Sequence, residues 1–200
     1  MDARRVAIFI FPGVEELDFV GVYEVLAGTQ DMIEQNEIQV EAPLEVDVIA
    51  TQDLIKCANG LLVRPHKVTD NLDSYELVVM PGGRGVRLLM KDPKFLTKVS
   101  EFAEKNPISS VCTGALVLAA AGILEGKRAT THANYFDELG QFCEVVEERV
   151  VEDGNVITAA GVTSSLALGL RLLQKMYNDQ IVEYVVGQLE IPDALNPLSF

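Results

Sequence analysis

The chain has 200 residues, 48% of them hydrophobic, and a formal net charge of −14 at neutral pH. This length allows one domain with a hydrophobic core, and this composition excludes disorder for most of the chain. The negative charge argues against a nucleic-acid-binding surface, which needs clustered lysine and arginine side chains.

The first half of the chain predicts strands and helices in alternation. The apolar run at 6–11 is typical of a strand buried on both faces, and it ends at Pro12. After it the sequence predicts a helix at 15–26, a strand at 45–50, a hairpin of 55–57 with 61–64 around Asn59 and Gly60, and a buried strand at 77–80. Residues 30–44 are polar and acidic, so we expect a surface excursion there.

The second half continues this alternation, and Asp92 is placed to cap a helix that begins at Pro93. The predicted helices are 93–106, 113–121, 164–176 and 180–189, and the predicted strands are 108–111, 128–132, 149–151 and 156–158. We therefore predict an α/β fold with a doubly wound, mostly parallel sheet sandwiched by helices. One domain spans residues 1–200, with a core at about 4–190 and a loosely attached tail at 193–200.

The cysteines and the start of the chain indicate the compartment. Cys57, Cys112 and Cys143 are an odd number without metal-like spacing, which fits free thiols in a reducing compartment. The apolar run at 6–11 is shorter than the hydrophobic region of a signal peptide, and no stretch approaches the ~20 apolar residues of a membrane span. We therefore expect a cytoplasmic protein without membrane contact.

Cys112 is the strongest candidate for a reactive group, because it lies between a predicted strand and a predicted helix. Such a turn belongs to the carboxyl edge of a parallel sheet, where ligands bind. A helix N-terminus also favours a thiolate, so we expect a lowered thiol pKa. The alternative stays open from the residues alone, since free cysteines are often small buried hydrophobes. We assign that structural role to Cys57 and Cys143.

Two further turns are predicted at the same edge of the sheet. Among Glu15, Glu16 and Asp18, one acid could exchange a proton with the thiol, and the apolar neighbours of Asp18 favour its burial. These acids could equally complement a helix dipole. Gly82 and Gly83 could supply backbone amides to an oxyanion hole together with Thr113, although any tight turn could use such glycines.

The histidines and glycine-rich segments exclude several kinds of site. We expect His66 to be an inert surface residue, whereas His132 ends a predicted strand and could approach the site. Two separated histidines without a Cys-x-x-Cys motif give no metal site, and neither a Walker loop nor a G-x-G-x-x-G motif is present. We therefore expect no metal and no cofactor.

Five segments together resemble the ThiJ/PfpI superfamily, which has the class I glutamine-amidotransferase-like fold. They are FPGVEELDF (11–19), MPGG (80–83), SVCTGA (110–115), GKRATTH (126–132) and ERVVEDGN (148–155). The resemblance covers about residues 4–190 and implies a flavodoxin-like sheet, a homodimer and a strained nucleophile elbow at Cys112.

Within this superfamily the chain is most similar to the isocyanide (isonitrile) hydratases, on whose cysteine, threonine and aspartate positions Cys112, Thr113 and Asp18 fall. The resemblance therefore implies addition of water to a small-molecule electrophile. The protease-like branch has histidine after the cysteine, so Thr113 argues against peptidase activity. The deglycase and glyoxalase branch has glutamate at the position of Asp18, and it remains an alternative together with a redox or ligand sensor. Phe19, Tyr135 and Phe136 are candidate walls of the substrate pocket.

Overall fold

The strands form one large sheet and two small ones in a computed structural model that describes residues 3–196. They are β1 (Arg4–Phe9), β2 (Leu44–Ala50), β3 (Ile55–Lys56), β4 (Leu62–Val63), β5 (Lys67–Val68), β6 (Leu77–Met80), β7 (Ile108–Val111), β8 (Arg128–Ala129), β9 (Glu144–Val145), β10 (Val150–Asp153) and β11 (Val156–Ala159). The large sheet has the order β10-β11-β7-β6-β1-β2-β5. All its pairs are parallel except the antiparallel hairpin of β10 and β11 at one edge.

The helices connect these strands. They are α1 (Glu16–Glu34), α2 (Val86–Leu89), α3 (Pro93–Ala103), α4 (Gly114–Ala120), α5 (Phe136–Leu139), α6 (Ser164–Met176) and α7 (Asp179–Gln188), with short 3₁₀ helices at Ala133–Tyr135 and Asp193–Leu195. No helix within residues 3–196 combines the length and the hydropathy that a membrane span requires. Asp92 caps α3 as predicted, since its carboxylate accepts hydrogen bonds from the Lys94 and Phe95 amides at 3.1 and 3.2 Å.

The strand order explains why the helices cover both faces of the sheet. The connection from β1 to β2 leads toward the β5 edge of the sheet, whereas the connection from β6 to β7 leads toward the β10 edge. Because connections between parallel strands are right-handed, α1 and α3 lie on opposite faces. α1 packs against α6, and α3 packs against α4. The central strands β6 and β7 are fully buried between these layers, which explains the continuous apolar sequence of β6, while β7 buries Ser109 and Ser110 between two apolar residues. The predicted α/β fold is confirmed.

Several predicted boundaries are wrong. The first helix continues to Glu34 instead of ending at residue 26, because Thr29 is buried and Met32 and Ile33 pack on the core. The surface excursion therefore begins only after this helix. The predicted strand at 128–132 is reduced to β8, which pairs with β9 outside the large sheet. β5, at the other edge, had no signal in the sequence because it is two exposed residues long.

The predicted tail at 193–200 is partly described. Residues 193–196 include a 3₁₀ helix whose partly buried Leu195 packs against the core, and the loose attachment of the tail stays a prediction. Residues 197–200 lie outside the described residues. The hairpin of β3 and β4 is confirmed, and Gly60 in its turn has a φ of +104°.

Candidate active site

Cys112 lies in the two-residue turn between β7 and α4, with a φ of +55°. This left-handed conformation is unusual for a residue with a side chain and costs roughly 1–3 kcal/mol unless the surroundings impose it. The surroundings do so here. The Cys112 amide donates to the carbonyl oxygens of Ala159 and Ala160 at 3.0 and 2.9 Å. Its carbonyl oxygen accepts a 2.7 Å hydrogen bond from the Thr131 hydroxyl.

Gly114 lets the start of α4 lie directly against the end of β6. A Cβ atom at this position would stand 2.0 Å from the carbonyl oxygen of Met80, which is part of the backbone and has no room to move. Glycine is therefore required at the third position of the Cys-Thr-Gly turn, because any side chain there would collide with this backbone oxygen. The close approach brings the turn with Cys112 next to the turn that follows β6.

Asp18 is the acid that the fold places beside the thiol. It is fully buried in the first turn of α1, and its Oδ2 atom accepts a 2.9 Å hydrogen bond from the Gly82 amide. The nearby Cys112 thiol and this carboxyl also act on each other electrostatically. Its Oδ1 atom is buried with no partner among the described residues. Burial at this position thus agrees with the apolar neighbours of Asp18 in the sequence.

The two other acids of this turn have different surroundings. Asn59, in the turn of the β3–β4 hairpin, donates to the Glu15 carboxylate at 3.0 Å and to the Glu16 carboxylate at 2.8 Å. Glu16 therefore holds the hairpin against the start of α1. Glu15 also lines the cavity above Cys112. The fold thus separates three neighbouring acids into one buried group and two that bind the hairpin.

The amides of Gly82 and Gly83 are engaged rather than free. Gly82 donates to Asp18, and Gly83 donates to the Thr113 hydroxyl at 3.0 Å. The oxyanion hole predicted from these two glycines would require both hydrogen bonds to break. The backbone amides that act on the Cys112 thiol are those of Thr113 and Val162. Sequence reasoning missed Val162, although it follows β11 at the same sheet edge.

Burial governs the protonation of this pair. It raises the pKa of Asp18 to about 7, and the charge of Glu15 acts in the same direction. It also raises the pKa of Cys112 to about 12, with a further contribution from the charge of Asp18. The amides of Thr113 and Val162 oppose this shift without overcoming it. The expected lowering of the thiol pKa is therefore wrong, because desolvation exceeds the effect of the helix N-terminus.

A cavity of about 330 Å³ opens above Cys112. Its lining consists of Glu15, Gly83, Arg84, Val86, Arg87, Cys112, Thr113, His132, Tyr135 and Val162. His132 therefore does approach the site, and its Nδ1 atom accepts a 3.2 Å hydrogen bond from the Asn134 amide. Tyr135 is a wall as predicted. Phe19 packs instead into the hydrophobic core, and Phe136 is not among the lining residues.

Two arginines at this cavity were missed by sequence reasoning. Arg87 forms a two-pronged ion pair with Glu138 and lies over the ring of Tyr135, 5.6 Å from its centre. Arg84 donates to the carbonyl oxygen of Ala58 at 2.8 Å. Both follow the Pro-Gly-Gly turn after β6, so their position at a sheet edge was the only available signal.

The other two cysteines and the second histidine lie outside this cavity. Burial raises the pKa of Cys57 to about 11 and also raises that of Cys143, consistent with unreactive thiols. His66 accepts a hydrogen bond from the Val48 amide at 3.3 Å, so it has a structural contact at the sheet. Among residues 3–196, no group of three or more His, Cys, Asp or Glu side chains is arranged to hold a metal ion.

The fold and the site define an α/β protein with a cysteine on a strand-to-helix turn at the carboxyl edge of a doubly wound sheet. The chain belongs to the DJ-1/PfpI family, which it matches over residues 4–175. This confirms the resemblance to the ThiJ/PfpI superfamily. The class of protein is thus shown by sequence and by fold.

Individual relatives carry different names. The chain is 36% identical to an isonitrile hydratase of Pseudomonas putida over 196 residues, which cover 96% of this chain and 80% of that protein. It is 30% identical to protein DJ-1 homolog B of Arabidopsis thaliana over 86% of this chain but only 38% of that longer protein. A crystal structure of a ThiJ/PfpI family protein from Pseudomonas syringae superposes with a TM-score of 0.80 at 27% identity, covering 96% of this chain and 76% of that chain.

Proposed function

We propose that this protein hydrates an isocyanide to an N-substituted formamide. The observation that carries the proposal is the buried Asp18 carboxyl beside the Cys112 turn, whose charge acts on the thiol and whose Oδ1 atom has no hydrogen-bond partner among residues 3–196. The similarity to an isonitrile hydratase supports the choice of substrate. The reaction adds water without net oxidation or reduction, so it needs no electron carrier.

The first step joins the thiol to the substrate. The terminal carbon of R–N≡C receives both the sulfur of Cys112 and a proton, which gives the thioimidate R–N=CH–S–Cys112. Near neutral pH the pair of Cys112 and Asp18 holds the required proton, because their pKa values are about 12 and about 7. The Asp18 carboxylate accepts the thiol proton and delivers it to the carbon while the sulfur attacks.

The second step releases the product. Asp18 takes a proton from a water molecule that attacks the thioimidate carbon and passes it to the nitrogen, which gives the tetrahedral intermediate R–NH–CH(OH)–S–Cys112. The tetrahedral intermediate then expels the sulfur and leaves R–NH–CHO. The leaving thiolate is stabilised by the amides of Thr113 and Val162, and Asp18 transfers to it the proton that the hydroxyl group of the intermediate loses. Gly82 and the pair of Gly83 and Thr113 hold the carboxyl and the turn in place for both steps.

The test measures formamide formed from an alkyl isocyanide by the whole chain. We expect activity in the wild type and its loss in Cys112→Ala, whereas Cys143→Ser keeps it because Cys143 lies outside the cavity. An inactive wild type would refute the proposal, and so would a Cys112→Ala variant with the full rate. Activity in Cys112→Ala at a reduced rate would assign the chemistry to water activation by Asp18 without a covalent step.

A second candidate is conversion of methylglyoxal to lactate by the same thiol. It is favoured by His132 in the cavity wall, since this reaction must move a proton between two carbons and a histidine can carry it. Parallel assays with both substrates separate the two functions. A lactate rate far above the formamide rate, lost in His132→Gln, would favour this second function.

A further inference from the structure

A second cavity lies at the opposite end of the sheet from Cys112. It has a volume of about 220 Å³ and lies where β1, β6 and β11 begin, next to the last turn of α6. Its apolar wall is formed by Val6, Leu77, Pro107, Ile157, Leu172 and Met176. The site proposed for isocyanide hydration lies at the carboxyl ends of these strands, so the two cavities are separated by the length of the sheet.

Arg4 brings an unpaired positive charge to this cavity. Its Nε atom is buried and has no hydrogen-bond partner among the described residues. No carboxylate in residues 3–196 forms an ion pair with its guanidinium, which lies 5.6 Å from the centre of the Tyr177 ring. The aromatic contact orients the guanidinium but does not neutralise it. A partly buried charge without a counter-ion is costly, so this group favours an anionic ligand.

The other charges at the cavity limit the kind of anion. Arg5 is paired with Glu45 at 3.0 Å, and Lys175 with Glu152 at 2.6 Å, so neither cation needs a ligand. Glu76 adds a negative charge at the rim. This combination suits one negative charge at Arg4 and repels a second one.

We propose that this cavity binds a small monocarboxylate with an apolar body. The carboxylate would pair with the planar guanidinium of Arg4, which matches its geometry, and the alkyl or aryl group would lie against the apolar wall. Phosphate and dicarboxylates are disfavoured by Glu76, and among the described residues that line the cavity no second cation is without a carboxylate partner. This binding site is independent of the chemistry at Cys112.

The test uses the whole ¹⁵N-labelled chain, titrated with phenylacetate and followed by amide chemical shifts. We expect saturable shifts around Val6, Leu77 and Leu172, which line the cavity. Phenylacetamide, which has the same shape without the charge, should bind at least ten times more weakly. Inorganic phosphate should cause no shifts there. This comparison requires no variant, so it holds whether or not Arg4 tolerates substitution.

Two variants then test which positive charge binds the carboxylate. Arg4→Gln should weaken phenylacetate binding at least tenfold, and Arg5→Gln should leave it within about twofold because that guanidinium already pairs with Glu45. Equal binding of phenylacetate and phenylacetamide would overturn the proposal. So would shifts confined to the Cys112 cavity around Thr113 and Val162, or unchanged binding by a folded Arg4→Gln chain. None of these results would alter the conclusion of the isocyanide assay.

Discussion

At the scale of single residues, the pair of Cys112 and Asp18 shows how burial determines protonation. Sequence position predicted a thiolate at a helix N-terminus, and the amides that would stabilise it are present. The surrounding apolar side chains leave Cys112 only 6% exposed, and desolvation raises its pKa to about 12. Burial therefore favours the protonated form of the resting thiol.

Asp18 should lower the stability of the protein as the pH rises. Its pKa is about 7 in the folded protein and near 3.8 without burial. The neutral carboxyl therefore stabilises the folded state fully below about pH 4, and this contribution is lost as the pH rises through about 7. The loss is on the order of 2–4 kcal/mol, from about 1.4 kcal/mol for each pH unit of the shift.

Asp18→Asn should remove this loss while abolishing activity. The amide of asparagine carries no charge, and its oxygen can still accept the hydrogen bond from Gly82. We expect the variant to be more stable than the wild type by about 2 kcal/mol or more at pH 8, and the difference should shrink toward pH 5. Urea unfolding at several pH values measures it. Asp137→Asn, which changes an exposed carboxylate, is the control. A difference independent of pH would contradict the assigned titration.

At the scale of elements, the contact between α1 and α6 depends on glycine. A Cβ atom at Gly21 would lie 2.1 Å from the Ser165 hydroxyl and 2.9 Å from its Cβ atom, whereas a Cβ atom at Gly28 would meet nothing within 4 Å. Both glycines belong to α1. They therefore form a matched pair, in which the same substitution tests helix packing at one position and helix propensity at the other.

Gly21→Ala should destabilise the protein by about 1–3 kcal/mol, because the extra methyl group overpacks the contact with α6. Gly28→Ala should instead stabilise it by roughly 0.5–1 kcal/mol through helix propensity. Denaturant unfolding of both variants measures the two effects. If Gly21→Ala were as stable as Gly28→Ala, α1 and α6 could not be packed as closely as the structure shows.

At the scale of the whole molecule, the start of α1 and the β3–β4 hairpin form one apolar surface. We call it the hairpin patch, and it consists of Leu17, Val20, Leu61 and Leu62. Glu16 accepts hydrogen bonds from the Asn59 and Leu61 amides, so the two elements are held together. Leu62 is 59% exposed. Exposed apolar surfaces of this kind are typical of protein interfaces, so we propose the hairpin patch as the interface of the homodimer that the family resemblance implies.

We therefore expect the protein to sediment with twice the mass of one chain, and Leu62→Asp should yield the monomer. Leu88→Asp is the control, because Leu88 is 72% exposed in α2 and lies outside the hairpin patch. Analytical ultracentrifugation at micromolar concentration distinguishes these cases. A monomeric wild type would refute the homodimer, and a Leu62→Asp dimer would place its interface on another surface.

The sequence by itself determined the order of the main strands and helices and the position of the reactive turn. Continuous apolar runs can form strands only where both faces are covered, so they predict a parallel sheet and its carboxyl edge. The Pro-Gly-Gly turn follows such a strand and the Cys-Thr-Gly turn follows a short strand directly before a helix, and for this reason both could be placed at one edge. Asp18 could be preferred over Glu15 because its own neighbours are apolar.

Only the tertiary structure decided what surrounds these groups. Val162 follows β11, whereas Arg84 and Arg87 follow the turn after β6, so no local pattern assigns all three to one cavity. The raised pKa values of Cys112 and Asp18 result from desolvation by side chains that are distant in sequence. Arg4 resembles Arg5 in the sequence, but within residues 3–196 Arg5 has a carboxylate partner and Arg4 has none. Local sequence specifies backbone preference, whereas burial and charge pairing depend on long-range packing.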